Sequence, residues 1–465
     1  MMNRMMIQTM YKNQIITGKC IDYTYDGLGL LKHEGFCIFV KDMALNDEAE
    51  VIVTKVLKDY GYGRILKLLK KGEDRVEPAC PLSRICGGCQ LQHLSPAGQA
   101  AFKQGHVAQL MANMAKLDLE VQPIISMDEP YYYRNKIMLP VEVDKNGELK
   151  IGFYRYNSHD IIQIENCLLQ SSFSNELVEK IRELIISHHL EKEIRHIMIR
   201  DMRRNHQAMV VLVTYKEKVL GLKALAEQLL AYHPDIKSVI QSVNGEKTNV
   251  VLGQKEILLA GNDCIYDRLC DLTFKISAHS FYQVNSYQTE VLYKKAIELA
   301  GLDEDSEVLD LYCGVGTIGL SASRQVKRVT GVEIVQQAID DARINAQLNG
   351  IQNAEFICGD AQKISEQLLR ENRHFDCIFV DPPRKGCSAQ TIEILRNLNA
   401  EKIVYISCNP STLARDLNLL KEDYQVKVIQ PVDMFPQTYH VETVCCLYHQ
   451  KKDFISVPYE PKNVE

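Results

Sequence analysis

Residues 375–410 read FDCIFVDPPRKGCSAQTIEILRNLNAEKIVYISCNP, and this stretch admits few folds. Residues 375–380 form a short apolar run rich in branched side chains, the pattern of a strand buried on both faces. Proline cannot donate to a sheet ladder, so Asp381-Pro382-Pro383 ends that strand and leaves Asp381 at its carboxyl edge. A helical spacing follows (Ile392, Leu395, Leu398). A second apolar run, 402–406, stops at Ser407-Cys408-Asn409-Pro410. In open α/β sheets ligands bind outside the carboxyl ends of the strands. Two adjacent strands therefore deliver Asp381 and Cys408 to one crevice.

The length of 465 residues allows two to four domains. No apolar run approaches the roughly 18 residues of a membrane span. The Met-rich beginning has no signal-peptide core, so the expected location is the cytoplasm. Fifteen cysteines, an odd number, argue against a disulfide framework and for metal or catalytic use of some of them. A net charge of −6 does not point to nucleic acid by itself, although a local basic face would suffice.

Residues 15–69 alternate short apolar runs with turns at Asp26-Gly27, His33-Glu34-Gly35 and Asn46-Asp47. Such spacing predicts a small β-barrel, either a structural cap or an oligonucleotide-binding module with Lys67, Lys70 and Lys71 at its exit. The stretch resembles the TRAM domain, a small RNA-binding barrel of RNA-modifying enzymes. Cys80, Cys86 and Cys89 follow in CPLSRICGGCQ, and Cys167 lies further on in IENCLLQ. Four thiolates could hold zinc or an iron–sulfur cluster, and the spacing leaves both open. Ser95-Pro96 starts a helix, as N-cap and N1. In Tyr131-Tyr132-Tyr133-Arg134-Asn135-Lys136, aromatics beside cations suit either a nucleic-acid clamp or a solvated strand edge. The basic run Arg195–Arg204 is read as an RNA-facing edge or a solvated hairpin.

From Phe274 the pattern becomes regular αβ alternation. Residues 307–320, EVLDLYCGVGTIGL, match a strand, a glycine turn and a helix start, with the dinucleotide-type spacing G-x-G-x-x-G at 314–319. Successive strand ends then carry Asp310, Glu333, Asp360 and Asp381. Glu333 is placed for ribose hydroxyls, and Asp360 for an adenine amino group. Nicotinamide and S-adenosylmethionine sites share the first part of this pattern. Asp-Pro-Pro on the fourth strand and a cysteine on the fifth favour S-adenosylmethionine.

Taken together, FYQVN (281–285), DLYCGVGTIG (310–319), GVEI (331–334), DPPRKG (381–386), SCNP (407–410) and HVETV (440–444) resemble the RNA 5-methyluridine (uracil-C5) methyltransferase family. The chain looks most like its 23S ribosomal RNA branch, which carries a TRAM domain and a 4Fe–4S cluster. The resemblance implies Cys408 as nucleophile and Glu442 as base. It implies Gln283, Tyr312, Glu333 and Asp381 as S-adenosylmethionine contacts, with Thr317 and Asp360 at cofactor-loop positions where family members vary. It implies Cys80, Cys86, Cys89 and Cys167 as cluster ligands.

The chemistry fits these residue types. Carbon 5 of uracil is too weak a nucleophile until a thiolate adds to carbon 6. After methylation a base must take the carbon-5 proton. Asn409-Pro410 reads as the start of a helix, whose N-terminus favours a thiolate at Cys408. Arg384 stands where amino-group methyltransferases place an aromatic residue, which excludes adenine or cytosine amino methylation.

The expected architecture is α/β. It has a Rossmann-like S-adenosylmethionine-dependent methyltransferase domain (95–125 and 271–452), an OB-like TRAM barrel (10–70) that binds RNA, an α+β central domain with the cluster (71–94 and 126–270), and a tail (453–465). The expected activity is methylation of a uridine in 23S ribosomal RNA by a monomer without membrane attachment. Transfer RNA as substrate, and a non-enzymatic RNA-binding assembly factor, are the alternatives.

Overall fold

The computed structural model describes residues 10–246, 248 and 250–450. The expected tail, 453–465, lies outside them. Two compact units emerge, and the chain contributes to each more than once. The first holds residues 10–109, 123–292 and 431–442; the second holds residues 110–122, 293–430 and 443–450. Among the described residues no helix is long and apolar enough to cross a membrane.

The first unit opens with β1 (Ile15–Tyr23), β2 (Gly29–His33), β3 (Phe36–Val40), β4 (Glu48–Val56) and β5 (Tyr60–Lys70). They close in the order β1-β2-β3-β5-β4, an OB-like barrel. In β4, Ala49, Val51 and Val53 alternate inward to meet Ile16, Leu31, Ile38 and Val40. Gly63 in β5 has no room for a side chain, since a Cβ there would fall 2.4 Å from Val51. Helix α1 (Pro96–Leu110) is capped by Ser95, whose hydroxyl accepts from the Gly98 N–H at 3.0 Å. Its Phe102 joins Ala44, Leu91 and Leu94 in a small core that ties barrel to helix.

A seven-stranded sheet follows, with β6 (Lys136–Val143), β7 (Leu149–Tyr154), β8 (Ile161–Gln163), β9 (Ile194–Met202), β10 (Gln207–Thr214), β11 (Ile236–Val243) and β12 (Lys255–Gly261). The order is β12-β11-β10-β9-β6-β7-β8. Helices α2 (Ser172–Ser187) and α3 (Leu222–Tyr232) pack Leu177, Ile181, Leu225 and Leu229 against Ile197, Ile199, Val210 and Leu212. Each such side chain contributes about 1.5–3 kcal/mol of burial.

Here the sequence reading of the basic run needs correcting. Its strand part is neither an RNA-facing edge nor solvated, because β9 lies between β6 and β10 and is buried almost throughout, whereas Arg203 and Arg204 in the turn beyond it stay partly exposed. Arg200 is only 1% exposed and donates to the carbonyls of Ala278 and Ser280. The tyrosine run is divided, with Tyr132 44% exposed and Tyr131 half-buried. Tyr133 is buried, and burial together with the Arg200 guanidinium pushes the Lys136 ammonium down to about 8. Periodicity shows where cations fall along the chain, not which of them hydrogen bonds draw inside.

The hairpin β13 (Ile265–Leu269) and β14 (Leu272–Ile276) precedes α4 (Ser286–Ala300), where Asn285 accepts from the Gln288 N–H. The second unit is built on β15 (Glu307–Leu311), β16 (Arg328–Glu333), β17 (Ala354–Cys358), β18 (Cys377–Val380), β19 (Lys402–Ser407), β20 (Tyr424–Val432) and β21 (Glu442–His449). Helices α5 (Thr317–Ala322), α6 (Gln336–Leu348), α7 (Ala361–Arg370), α8 (Ala389–Leu398) and α9 (Pro410–Leu420) connect them. The order is β17-β16-β15-β18-β19-β21-β20. The first five run parallel, and β21 pairs antiparallel with β19. Residues 110–122 enter this unit as a π-helical turn, Met111–Ala115, packed on α9, and the Gln122 N–H reaches the Ile429 carbonyl.

Candidate active site

Strand order reverses at β15, which is flanked by β16 on one side and β18 on the other. A crevice opens at the carboxyl ends of strands at such a point. Tyr312 leaves β15 with φ 65°, a left-handed conformation that a bulky residue adopts only when its surroundings enforce it. Gly314 has open space where a Cβ would be. Gly316 (φ 82°) turns the chain into α5, whose first residue, Thr317, lies 3.1 Å from the Tyr293 hydroxyl.

Acids line the same edge. Asp310 accepts from the Gly319 N–H at 2.9 Å, while its Oδ1 is buried with no hydrogen-bond partner among the described residues. Burial pushes its carboxyl up to about 7, with Asp381 and Glu333 adding to the effect. Asp381 follows β18, its N–H directed at the Leu311 carbonyl, and desolvation raises it to about 7 as well. Glu333 ends β16 and accepts from the N–H groups of Gly314 and Val335 at 3.3 and 3.0 Å. Asp360 is the N-cap of α7, accepting from Gln362 and Lys363.

Cys408 sits between β19 and α9. Asn409 caps α9 through the Ser411 N–H at 3.1 Å, and Pro410 occupies the first turn. The same end of α9 grips the loop after Asp381. Asn409 Nδ2 and Thr412 Oγ1 donate to the Arg384 carbonyl at 3.0 and 3.3 Å. Arg415 donates to the carbonyls of Lys385 and Cys387, both at 3.0 Å. Buried Asp416 accepts from the Cys387 N–H at 2.8 Å and the Tyr405 hydroxyl at 2.6 Å. The helix that follows Cys408 and the Asp381 loop thus form one clamp. Asp416, Arg415 and Tyr405 carried no signal in the sequence. Burial pushes the thiols of Cys387 and Cys446 up to about 12, and those of Cys313, Cys377 and Cys445 higher still, whereas Cys408 is partly exposed.

The second unit therefore gathers Tyr312, Thr317, Glu333, Asp360, Asp381 and Cys408. Gln283 and Glu442 belong to the first unit. Asn135 fixes the backbone at Gln283, its Nδ2 donating to the Gln283 carbonyl at 3.0 Å. Glu442 is buried at the start of β21, and its neighbour Thr443 pairs with Ser407.

Cys80, Cys86, Cys89 and Cys167 are also in the first unit, all half-buried free thiols. Cys86 lies within electrostatic reach of Cys80 and Cys167, and Cys89 within reach of Cys86 and Cys167. The buried Arg134 guanidinium stands beside Cys89 and Cys167, its Nε without a hydrogen-bond partner among the described residues. Among the described residues, no group of three or more His, Cys, Asp or Glu is arranged to hold a single metal ion.

Comparison with known proteins gives this geometry a context. The family described as tRNA (uracil-5-)-methyltransferase matches residues 97–451. An uncharacterized RNA methyltransferase of Oceanobacillus iheyensis is 44% identical over 444 residues, 93% of this chain and 96% of that protein. Its counterpart from Halalkalibacterium halodurans is 42% identical over 446 residues, 94% of this chain and 97% of that one. Among solved structures, the Pyrococcus abyssi tRNA (uracil-54, C5)-methyltransferase in complex with S-adenosyl-L-homocysteine is 31% identical with a TM-score of 0.75, covering 93% of this chain and 99% of that chain. A family match that runs from the first turn of α1 through β21, joined to relatives of this identity over nearly the whole length, makes the chain a member of the tRNA (uracil-5-)-methyltransferase family and an RNA uracil-5 methyltransferase.

Proposed function

We propose that the protein methylates carbon 5 of a uridine in 23S ribosomal RNA, using S-adenosylmethionine, through a covalent bond between Cys408 and carbon 6 of the base. The observation that carries this reading is the clamp at α9. It holds a partly exposed cysteine at a helix N-terminus beside the Asp381 loop, amid cysteines that burial keeps as thiols.

The residues suit the cofactor. Gly314 leaves room for a ligand to approach the backbone, and Asp310, Glu333 and Asp381 supply carboxylates at neighbouring strand ends. When bound, S-adenosylmethionine supplies an electrophilic methyl beside a sulfonium charge that those acids complement. Glu333 keeps lone pairs free for ribose hydroxyls beyond its two backbone bonds. Cys408 Sγ bonds to carbon 6 and the ring electrons move to the carbon-5 enolate. Carbon 5 then takes the methyl as the methyl–sulfur bond breaks, its electron pair staying with the departing thioether. Glu442 removes the carbon-5 proton, the carbon 5–carbon 6 double bond re-forms and the thiolate leaves.

Cys80, Cys86, Cys89 and Cys167 would hold a 4Fe–4S cluster. Such a cluster takes one thiolate per iron, so its ligands need not converge on one point as zinc ligands must. Its negative charge would answer the buried Arg134 cation. We assign it a structural role in the first unit. The barrel, with Lys67, Lys70 and Lys71 exposed, would contribute RNA affinity.

Transfer RNA is the second reading, favoured by the tRNA uracil on which the Pyrococcus enzyme acts, an enzyme whose whole length aligns here. Mass spectrometry of both RNA pools from a deletion strain separates the two. Loss of 5-methyluridine from 23S RNA alone supports the proposal. Loss from transfer RNA alone transfers the same chemistry to the second reading.

A further inference from the structure

The segment 433–442, which ends at Glu442, is held by more contacts than a connecting loop requires. Lys103 on α1 is fully buried; its Nζ lies 2.6 Å from Asp433 Oδ1 and donates to the Phe435 carbonyl at 3.1 Å. Asn285 Nδ2 reaches the Met434 carbonyl and the Tyr133 hydroxyl reaches the Pro436 carbonyl, both at 3.0 Å. Contacts converge most densely on Gln437. It is buried and has φ 71°. Its N–H donates to Gln99 Oε1 at 2.9 Å, and its own Oε1 accepts from Gln99 Nε2 at 3.0 Å. Its carbonyl accepts from the N–H groups of both Gln90 and Leu91 at 3.0 Å. Those are the two residues after Cys89.

A non-glycine residue in the left-handed region costs about 1–3 kcal/mol and persists only where its surroundings over-determine it. Here a two-pronged amide bond to α1 and a doubly used carbonyl do so. We propose that Gln437 is the positioning residue for the general base: it fixes the course of the segment that delivers Glu442 and ties that course to α1 and to the loop bearing Cys89. Proton abstraction demands a carboxylate within about 2.6–3.2 Å of the carbon-bound proton. A shift of about 1 Å can cost a hundredfold in such a step. Addition at Cys408 and methyl transfer draw on Cys408, the strand-end acids and Gln283, none of which lies on the segment 433–442. Loosening Gln437 therefore strands the reaction after methylation and before elimination. The inference rests on Glu442 being the base.

The test compares native enzyme, Glu442→Gln, Gln437→Ala, Gln437→Gly and Gln99→Leu on a uridine-containing ribosomal RNA fragment with S-adenosylmethionine. Single-turnover methyl transfer and covalent protein–RNA complex on denaturing gels are both read. Gln437→Ala and Gln99→Leu should transfer the first methyl within about threefold of the native rate, yet release RNA at least about tenfold more slowly and accumulate the slow-migrating complex. Gln437→Gly keeps the turn and the carbonyl contacts, and should accumulate less. A general loss of structure would lower methyl transfer and complex together and lower the unfolding midpoint, and that outcome overturns the assignment. So does native turnover in Gln99→Leu. If Glu442→Gln traps complex and the Gln437 variants do not, only this inference falls. If Glu442→Gln itself traps nothing, the base assignment falls and this inference with it.

Discussion

A carboxyl group buried beside two others gives up its proton reluctantly. Asp310 and Asp381 both have their pKa raised from 3.8 to about 7, chiefly by burial. An unfolded chain releases these protons near pH 4, so between pH 4 and 7 the folded state binds more protons. The contribution of these two acids to stability without cofactor is therefore full below pH 4 and is lost as pH rises through 7. Thermal melts from pH 5 to 8 should show this decline, and Asp310→Asn should flatten it. The cofactor's positive sulfonium favours the ionised acids, so its affinity should rise with pH, by up to about tenfold per unit below 7 for each acid that must ionise. Isothermal titration across that range checks the sign. At the reacting pair, Cys408→Ala should still bind cofactor and RNA but form no adduct and transfer no methyl. Glu442→Gln should transfer one methyl and stay bonded to the RNA. RNA containing 5-fluorouridine should trap the native enzyme, since fluorine does not leave as a proton does.

The elements around Cys408 show what a sequence does and does not disclose. The ends of β18 and β19 were legible because proline forbids a ladder and branched apolar runs favour buried parallel strands. The α9 cap was legible because Asn-Pro has the chemistry of a helix start. The grip of Arg415 and Asp416 on residues 385–387 was not, because it depends on side chains that meet only after α8 has brought the two segments together. The same holds for Gln99 and Gln437, 338 residues apart in sequence. Arg200, in the basic run 195–204, was misread because an Arg held by two carbonyls looks, in sequence, like any surface Arg. For α9 the expectation is specific. Asn409→Ala removes a cap worth about 1 kcal/mol and also one of the two hydrogen bonds to the Arg384 carbonyl. It should slow adduct formation with 5-fluorouridine RNA more than it lowers the melting temperature, as a time course beside a thermal melt would show.

At the scale of the whole molecule, the barrel cannot simply be cut away. Ala44 shares a core with Leu91, Leu94 and Phe102, so removing the barrel would expose apolar surface of the first unit. Substituting Lys67, Lys70 and Lys71 by Ala tests RNA binding more cleanly. Affinity should fall for all sequences, cofactor binding should stay, and the salt slope should drop by about 0.7–0.9 for each phosphate that is no longer neutralised. Protein prepared without oxygen should be brown, with four iron and four sulfide per chain. A colourless protein with one bound zinc would overturn the cluster.

The place of β21 bears on how the enzyme is made. It inserts between β19 and β20, although both precede it in the chain. While synthesis is under way, those two strands wait as facing edges with unpaired backbone groups, the kind of edge that aggregates. The strand that fills the gap begins with Glu442. On the proposed mechanism, a product broken off just before it would keep the nucleophile Cys408 and lack the base, and such an enzyme would bond to its RNA and never let go. The same break leaves the sheet open, so the faulty chain should go to aggregation and proteolysis instead of reaching its RNA. Translation of a chain ending at residue 441 should yield insoluble or degraded protein, and the fold acts as its own quality control against a self-trapping catalyst.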